Sequence, residues 1–261
     1  MARLPILRMT RVLIPSMALA TLGIMLAPVA SAQDEGGVNF SISPRIYVTS
    51  LDAGAFAETA TGVLGGLSLT IGPAGGNWDI SLNALDGSGD SDFGFLAESP
   101  FSGWGQSGEY EFDRADYEIL YRYRLEDSPV YIGIGYRDVD IEETYTGDID
   151  GLVETETSEL SMVEFALGFS TQASEGSKHG VFGNLLLGFG SFDYLSEEVG
   201  FADSEDDGSS ILADANVGYQ YLMSRKTSFS ARYRVIAVQS NGEESESSLV
   251  HGPEIAFTFR F

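Results

Sequence analysis

Alternation of apolar and polar residues with a period of two recurs along most of this chain. The clearest apolar sets are Tyr117, Ile119, Tyr121, Tyr123 and Leu125; Val130, Ile132, Ile134 and Tyr136; Val163, Phe165, Leu167 and Phe169; Val217, Tyr219 and Tyr221; and Ile255, Phe257, Phe259 and Phe261. Successive side chains of a β-strand point to opposite faces, so each set marks one face of a strand. Beyond residue 32 no segment keeps a helical period for several turns. The sequence therefore predicts an all-β protein.

Counting the weaker segments, the pattern predicts ten strands. They lie at 38–50, 61–71, 77–86, 113–125, 130–145, 158–172, 180–194, 210–223, 228–240 and 248–261. The count carries a range of about eight to twelve, because Gly65-Gly66 interrupts the alternation of the second segment. An even number of strands in up-and-down order places both ends of the chain on one side.

The predicted connections differ in length between the two sides. Four are tight turns, at 72–76, 126–129, 173–179 and 224–227, and the other five run longer, the longest being 87–112. Short turns on one side and long loops on the other are typical of bacterial outer-membrane barrels. The long side is acidic, with Asp148, Asp150, Glu154, Glu156, Glu197, Glu198, Asp203, Glu205, Asp206, Asp207, Glu243, Glu244 and Glu246. We expect an antiparallel up-and-down transmembrane β-barrel with periplasmic termini and acidic extracellular loops.

The first 32 residues have the pattern of a cleaved secretory signal peptide. A basic stretch with Arg3, Arg8 and Arg11 precedes an apolar stretch at 12–29 and the small residues at 30–32. The alternative is an uncleaved membrane anchor, which Pro15 and Pro28 disfavour. We expect a signal peptide at 1–32 and one barrel domain at 33–261.

Composition excludes several classes of partner and site. The chain has 39 Asp+Glu against 14 Lys+Arg, a net charge of −25, and no cysteine. Removing the three Arg of the signal peptide leaves 11 basic against 39 acidic residues, net −28. A surface this acidic does not bind nucleic acid, which requires clustered Lys and Arg. Without cysteine there are no disulfides, thiolate metal sites or cysteine nucleophiles.

A membrane barrel, a soluble barrel and a two-sheet sandwich all have strands that alternate with a period of two. Only the residues on the polar faces can distinguish the three folds. About forty large apolar side chains lie on the apolar faces, more than the interior of a ten-stranded barrel holds, so we place these faces outward. The inner face then carries charged residues whose basic members are all Arg, the side chain that bonds several carboxylates at once in a confined space. This predicted lumen network is Arg45, Asp79, Glu118, Arg122, Arg124, Arg137, Glu164, Asp214, Arg232, Arg234, Glu254 and Arg260.

The predicted network has two interpretations. In a barrel this narrow, paired Arg and carboxylate side chains fill and rigidify the lumen. The alternative is a narrow pathway for small solutes or ions, lined by the same charges. Tyrosines toward the strand ends predict an aromatic girdle at headgroup level: Tyr110, Tyr117, Tyr123, Tyr131, Tyr136, Tyr145, Tyr194, Tyr219, Tyr221 and Tyr233.

The last eight residues alternate without a break and end on Phe261. In this strand the chain resembles the small single-chain outer-membrane β-barrel proteins of Gram-negative bacteria, whose final strand ends in an aromatic residue read by the barrel-assembly machinery. The resemblance implies an outer-membrane location, lipid and lipopolysaccharide as surroundings, and assembly through Phe257, Phe259 and Phe261. It implies no activity and no oligomeric state. Pro253 departs from a regular strand and predicts a bulge or the strand start.

Candidate catalytic residues are few, and we expect no enzyme. The omptin proteases use an Asp-x-His pair at the barrel mouth, and this chain has only His179, in a predicted periplasmic turn, and His251. His251 lies near the outer end of the last strand with Ser247 and Ser248 upstream, a set that a lipid A-modifying enzyme would use as base and nucleophile. No spacing forms a triad, and a hydrogen-bonded strand-end histidine is the simpler interpretation.

The segment 203–208 alternates oxygen donors before Gly208, as calcium loops do. Asp203, Glu205 and Asp207 are therefore weak metal candidates, with Asp214 in place of the usual bidentate Glu, and 86–92 is a second acidic candidate. The simpler interpretation is a solvated loop. Weak Ca²⁺ or Mg²⁺ binding that bridges to lipopolysaccharide phosphates is the hypothesis retained, and no other cofactor is predicted.

Together these observations favour a barrel with a structural or surface-interaction role and a largely filled lumen. A narrow porin-like channel is the second expectation and a lipid-modifying enzyme the third.

Overall fold

A computed structural model describes residues 37–53, 60–94, 107–126, 128–147, 153–171, 177–198, 204–241 and 247–261. The predicted signal peptide at 1–32 lies outside the described residues. So do several members of the predicted acidic loops, namely Asp148, Asp150, Asp203, Glu243, Glu244 and Glu246.

Ten strands pair in sequence order and close into one antiparallel barrel. They are β1 (Val38–Ala53), β2 (Ala60–Pro73), β3 (Trp78–Gly94), β4 (Ser107–Arg124), β5 (Val130–Gly147), β6 (Val153–Ser170), β7 (His179–Glu198), β8 (Ser204–Ser224), β9 (Thr227–Asn241) and β10 (Ser247–Arg260). β1 pairs with β10, where the amide of Phe261 donates to the carbonyl of Phe40 (2.9 Å). The predicted up-and-down barrel and its ten strands are confirmed. Among the described residues no helix is long and apolar enough to cross a membrane.

The two ends of the barrel differ in their connections. The end that holds both chain termini has the links 74–77, 125–129, 171–178 and 225–226, and in the first of these Gly75 takes a left-handed φ of 72°. We call this the periplasmic end and the opposite one the extracellular end, following the arrangement of bacterial outer-membrane barrels.

The strands are longer than a membrane crossing requires. β8 has 21 residues, whereas a tilted membrane strand needs about 9–11. The predicted loop residues Glu154, Glu156 and Glu197 lie within strands, as do those at 205–207, so their assignment to loops is wrong. The links at 148–152, 199–203 and 242–246 are shorter than the periplasmic link 171–178, against expectation. The outward apolar pattern ends at the membrane surface, but the hydrogen-bonded ladder continues beyond it.

The polarity of the two strand faces inverts along the barrel. On β5 the outward residues Ile132, Ile134 and Tyr136 are 48%, 50% and 44% exposed, as expected for a lipid-facing band. The next outward positions are acidic, beginning with Asp138, while the inward Val139 is buried. Below this level the barrel is apolar outside and polar inside, and above it the barrel is polar outside and apolar inside. We call these the membrane half and the extracellular half.

The inversion corrects part of the predicted aromatic girdle. Tyr110 is fully buried inside the extracellular half, and Tyr145 and Tyr194 pack beside it. Tyr131 lines the inside of the membrane half. The predicted girdle residues Tyr123, Tyr136, Tyr219 and Tyr233 are exposed on the outer face, and so is Tyr121. Tyr110, Tyr145 and Tyr194 face inward because strand ends above the membrane follow the opposite rule. Tyr131 faces inward because it alternates with the outward Ile132.

Pro253 lies inside β10, so neither a bulge nor a strand start is present there. The β1–β10 register is constant from Ser41↔Arg260 to Ala53↔Ser248, but Gly252 and Pro253 form no pair with β1. Proline has no amide hydrogen to donate to that ladder. Beside it Gly252 has a φ of 156°, and a Cβ there would lie 1.9 Å from the carbonyl oxygen of Val48. The close approach of β1 therefore requires glycine.

Candidate functional site

The centre of the barrel interior is the guanidinium of Arg137 on β5, which is fully buried. Its NH2 lies 2.5 Å from Oε2 of Glu118 and 2.8 Å from Oδ2 of Asp214. Its Nε lies 3.1 Å from Oε1 of Glu164 and 3.6 Å from Oδ1 of Asp116. One side chain thus joins carboxylates from β4, β6 and β8, which only a multi-donor planar cation does well.

A second guanidinium extends the network toward the barrel closure. Arg234 on β9 donates to Asp214 through Nε (3.1 and 3.2 Å) and NH2 (2.5 Å). Glu254 on β10 accepts from NH2 of Arg232 at 2.5 Å and lies 3.7 Å from NH1 of Arg45 on β1. Glu254 is also 3.9 Å from NH1 of Arg234, so the two halves of the network are continuous.

The network is close to electrically neutral and was only partly visible in the sequence. Arg114 and Asp116 on β4, 3.5 Å apart and both buried, belong to it but were not predicted. They lie on the same inward face as Glu118, four and two residues before it. The alternation would have identified them if it had been extended further toward the start of β4. We define the charge network as five Arg and five carboxylates: Arg45, Arg114, Arg137, Arg232, Arg234, Asp116, Glu118, Glu164, Asp214 and Glu254.

The structure places the other four predicted lumen residues on the inner face but nearer the periplasmic end. Arg122 pairs with Asp79 (NH2 to Oδ1, 2.6 Å). Arg260 donates to the hydroxyl of Ser228 at 3.1 Å. Arg124 follows Arg122 on the inner face of β4. These residues lie on the periplasmic side of the charge network.

Apolar side chains fill the interior of the extracellular half. We call this group the apolar plug, and it is drawn from every strand of the barrel. Its members are buried and pack together directly above the charge network. The plug consists of Tyr47, Leu51, Ala60, Leu64, Leu85, Tyr110, Phe112, Val139, Leu160, Met162, Phe192, Leu212, Ile236, Val238 and Val250.

One polar contact is embedded in the plug. The hydroxyl of Tyr110 donates to Oε1 of Glu143 on β5. Glu143 lies beyond Tyr136, the last outward apolar residue of its strand, and so outside the membrane-spanning segment. Burial raises the pKa of the Glu143 carboxyl, and it also raises the pKa of the Tyr110 hydroxyl.

The inside of the membrane half contains a polar cavity of about 250 Å³. It begins below the charge network and reaches residues near the periplasmic strand ends, such as Thr258 and Gln220. Its wall combines hydroxyl and amide side chains with the rings of Tyr131, Phe169 and Phe182, with Arg122, and with charge-network residues at its upper end, namely Arg45, Glu118, Asp214, Arg232, Arg234 and Glu254. We call it the periplasmic cavity.

Neither histidine is placed in a catalytic arrangement with the predicted nucleophiles. His251 faces outward, where its Nδ1 lies 2.7 Å from the hydroxyl of Tyr233. Ser247 shares that face but is four residues away along an extended strand, roughly 13 Å, and Ser248 lies on the opposite face. His179 faces outward at the periplasmic end and bonds to the hydroxyl of Tyr219.

The predicted metal residues are separated by the fold. Glu205 and Asp207 are exposed on the outer face of β8, and Asp203 lies outside the described residues. Asp214 is buried inside the barrel and bonded to Arg234 and Arg137, so its assignment to the same loop site is wrong. In the ranges that the structure describes, no three His, Asp or Glu side chains form a group suited to a metal ion.

Phe257, Phe259 and Phe261 face outward along the final strand. They are 42%, 42% and 38% exposed, and the ring of Phe257 lies 5.2 Å from that of Phe229 on β9. The ring of Phe261 lies 6.0 Å from that of Phe40 on β1. The three rings therefore lie on the lipid-facing surface at the strand pair that closes the barrel.

Charge on the outer surface differs between the periplasmic end and the extracellular half of the barrel. Every Lys and Arg beyond residue 32 is described, and each lies inside the lumen or, for Lys178, Arg225 and Lys226, at the periplasmic end. The outer face of the extracellular half carries only acidic charge among the described residues. These acids are Asp86, Asp90, Glu109, Glu111, Asp113, Asp138, Asp140, Glu142, Glu159, Asp193, Glu197, Glu205 and Asp207.

No protein-family model matches the chain, and no curated protein matches its sequence. Solved structures do match. The outer membrane protease OmpT from Escherichia coli aligns with a TM-score of 0.52 and 8% identity over 87% of this chain and 94% of its own. The translocator domain of the autotransporter NalP from Neisseria meningitidis has a TM-score of 0.49 and 10% identity, covering 94% and 96%. Neisserial surface protein A has a TM-score of 0.37 and 9% identity, covering 85% and 97%.

At this level of identity the likeness to OmpT shows a shared fold and nothing about activity. The closed antiparallel barrel, its outward apolar band and the aromatic residues along that band agree with this fold. The chain therefore has the fold of the small outer-membrane β-barrel proteins, with an outward apolar band suited to lipid.

Proposed function

We propose that this protein is a non-conducting outer-membrane barrel with a structural and surface-interaction role. The observation that supports the proposal is the inversion of polarity above Arg137, which leaves the upper lumen apolar and the upper exterior acidic. The barrel is thereby closed to solutes and presents one sign of charge to its surroundings.

Closure follows from two layers that an ion or polar solute would have to cross. The charge network binds its own counter-charges, so its Arg side chains are not available to a passing anion. Above it the apolar plug consists of aliphatic and aromatic side chains, whose two tyrosine hydroxyl groups already bond to the protein, and hydrophobic constrictions exclude ions by dewetting.

The test is single-channel recording on the mature chain, residues 33–261, refolded in detergent. Folding is verified first by heat-sensitive gel mobility, and a general porin refolded in the same detergent serves as the positive control. We expect the folded protein to insert without ohmic current steps. Stable steps from the folded band would support the alternative, a narrow channel for small solutes or ions.

The distribution of acidic residues on the outer surface favours lipopolysaccharide as the partner of the extracellular half. Acids occur on the outer faces of six consecutive strands, β3 to β8, just above the apolar band. A docking site for one protein would occupy one side, whereas lipopolysaccharide surrounds an outer-membrane barrel. We infer that Ca²⁺ or Mg²⁺ bridges these carboxylates to lipopolysaccharide phosphates.

A β5 variant tests this inference. In lipopolysaccharide vesicles, millimolar Mg²⁺ is expected to raise the thermal unfolding temperature of the wild type, and the Asp138→Asn, Asp140→Asn, Glu142→Gln variant is expected to show a smaller rise. Phosphatidylcholine vesicles, which lack the extra phosphates, serve as the control. An equal Mg²⁺ effect in both proteins, or none in either, contradicts cation bridging.

The enzyme alternative rests on His251 alone, and we expect it to fail. Expression of the wild-type protein and of the His251→Ala variant is expected to leave the mass spectrum of lipid A the same. A change in lipid A that requires His251 would replace the structural role with a lipid-modifying one.

A further inference from the structure

The periplasmic cavity has the features of a binding site that the structural role does not use. It is closed on one side by the charge network and the apolar plug, and its volume of about 250 Å³ extends toward the periplasmic end. At about 30 Å³ per water molecule it has room for about eight waters, or for one solute of monosaccharide size.

The charge of the cavity wall favours a neutral occupant. The wall contains four Arg and three carboxylates, and each of them already pairs with an opposite charge. Arg122 pairs with Asp79 at 2.6 Å, Arg232 and Arg45 with Glu254 at 2.5 and 3.7 Å, Arg234 with Asp214 at 2.5 Å, and Glu118 with Arg137 at 2.5 Å. A bound anion would compete with these pairs, and a bound cation would meet the guanidinium groups. A neutral solute disturbs neither.

Two amide side chains in the wall each have an oxygen atom that the protein leaves without a donor among the described residues. Asn184 on β7 and Asn216 on β8 stand directly opposite each other in the strand register, and both line the cavity. The Oδ1 atoms of both side chains are buried and have no hydrogen-bond partner among the described residues. A buried amide oxygen without a partner is costly, so these atoms need donors from an occupant or from ordered water.

The rest of the wall combines hydroxyl groups with aromatic rings. Ser68, Ser81 and Ser230 face the same space as the rings of Phe169 and Phe182. A polyhydroxylated ring presents hydroxyl groups at its edge and C–H groups on its faces, so it matches both kinds of surface at once.

We propose that the periplasmic cavity binds a small neutral polyhydroxylated solute of monosaccharide size, taken from the periplasmic side. Asn184 and Asn216 are its central hydrogen-bonding residues. The closed upper lumen makes the site a receptor for the solute and excludes passage across the membrane.

The experiment uses the refolded mature chain in a zwitterionic detergent, because a sugar-based detergent would itself compete for the cavity. D-glucose, glycerol and inorganic phosphate are the probes, and saturation-transfer NMR with titration is the readout. We expect saturable binding of glucose at millimolar concentration, weaker binding of glycerol, and no competition by phosphate.

Two variants assign the signal to the cavity. Asn184→Leu with Asn216→Leu keeps side-chain volume and removes both amides, and it is expected to weaken glucose binding at least tenfold. Ser230→Phe fills the cavity and is expected to abolish binding, which keeps the test valid if the double variant does not fold. Asn241→Leu is the matched control, since Asn241 is exposed at the extracellular end of β9 and does not line the cavity.

Three outcomes would overturn the proposal. They are the absence of saturable glucose binding by the folded wild type, glucose binding that Ser230→Phe leaves unchanged, and displacement of glucose by phosphate. The first would mean that the cavity holds water only, the second that glucose binds elsewhere, and the third that the site prefers anions.

Discussion

Replacing Arg137 by methionine is expected to destabilise the barrel strongly. Breaking a buried ion pair by removing one partner costs about 3–5 kcal/mol, because the other charge is left uncompensated. Arg137 contacts four carboxylates within 2.5 to 3.6 Å and is fully buried, so we place Arg137→Met at the upper end of that range. A loss of about 5 kcal/mol lowers the folding equilibrium constant by between three and four powers of ten, at about 1.4 kcal/mol per power.

A second substitution separates charge balance from packing. The only ion pair of Glu164 among the described contacts is with Arg137, at 3.1 Å. Adding Glu164→Gln to Arg137→Met removes one of the uncompensated charges. The double variant is therefore expected to be more stable than the sum of the two single effects by at least about 1 kcal/mol, the range of coupled neighbours.

The measurement is urea-induced unfolding in phosphatidylcholine vesicles, followed by heat-sensitive gel mobility and far-UV circular dichroism. Lys226→Met is the matched control, because Lys226 is exposed in the 225–226 turn and its replacement is expected to change stability by less than about 0.5 kcal/mol. An Arg137→Met variant within about 1 kcal/mol of the wild type would refute the reasoning and would mean that water screens the network.

Three further predictions concern other layers of the barrel. Because burial raises the pKa of Glu143, ionisation of its carboxyl opposes folding, so Glu143→Gln is expected to raise the urea midpoint at pH 7. This advantage should disappear as the pH falls to the ordinary glutamate pKa. Glu142→Gln, on the exposed outer face of the same strand, is the matched control and is expected to change stability at pH 7 by less than about 0.5 kcal/mol. Leu212→Ala in the apolar plug is expected to lower the free energy of unfolding by about 2–5 kcal/mol, because it leaves a cavity. Val217→Ala is the control in the same unfolding assay. Its side chain is 62% exposed, so the loss should be less than about 1 kcal/mol. Deleting Phe261 should slow insertion by the assembly machinery in reconstituted vesicles while leaving spontaneous refolding in detergent within twofold; equal assembly rates would contradict the predicted signal.

The strands of the membrane half could be predicted from the sequence because there the alternation has only one physical meaning. Lipid on one side and a confined polar lumen on the other give apolar and polar faces along every strand, and sets such as Ile132, Ile134 and Tyr136 show them directly. The extracellular half could not be predicted in the same way. Asp193 faces water and Phe192 the interior, which reverses the rule, and the predicted strand at 180–194 therefore ended short of Glu198, where β7 ends.

The members of the charge network could be predicted individually, but their contacts could not. Strand parity is enough to place Arg137 and Asp214 on inner faces. Their separation of 77 residues becomes a 2.8 Å contact only through the register of the strands between them and the width of a closed barrel. The same argument applies to Arg45 and Glu254, which meet only because β1 pairs with β10.

The charge network lies at the level where the polarity of the strand faces inverts, and it helps to fix the register of the strands. Its residues lie on β1, β4, β5, β6, β8, β9 and β10, directly below the apolar plug. A slip of one residue in any of these strands would turn its charged side chains toward lipid and its lipid-facing residues into the lumen. Near the membrane interface an outward Arg itself costs at most about 1 kcal/mol. The larger cost is that each displaced charge leaves its partner unpaired in the interior, about 3–5 kcal/mol. Arg137 joins carboxylates from β4, β6 and β8, and Arg234 joins carboxylates from β8 and β10, so a slip of one of these strands breaks contacts with several others. The network therefore destabilises every wrong register of these seven strands. Apolar residues would have closed the lumen equally well, and this specificity for one register accounts for a buried charge network in their place.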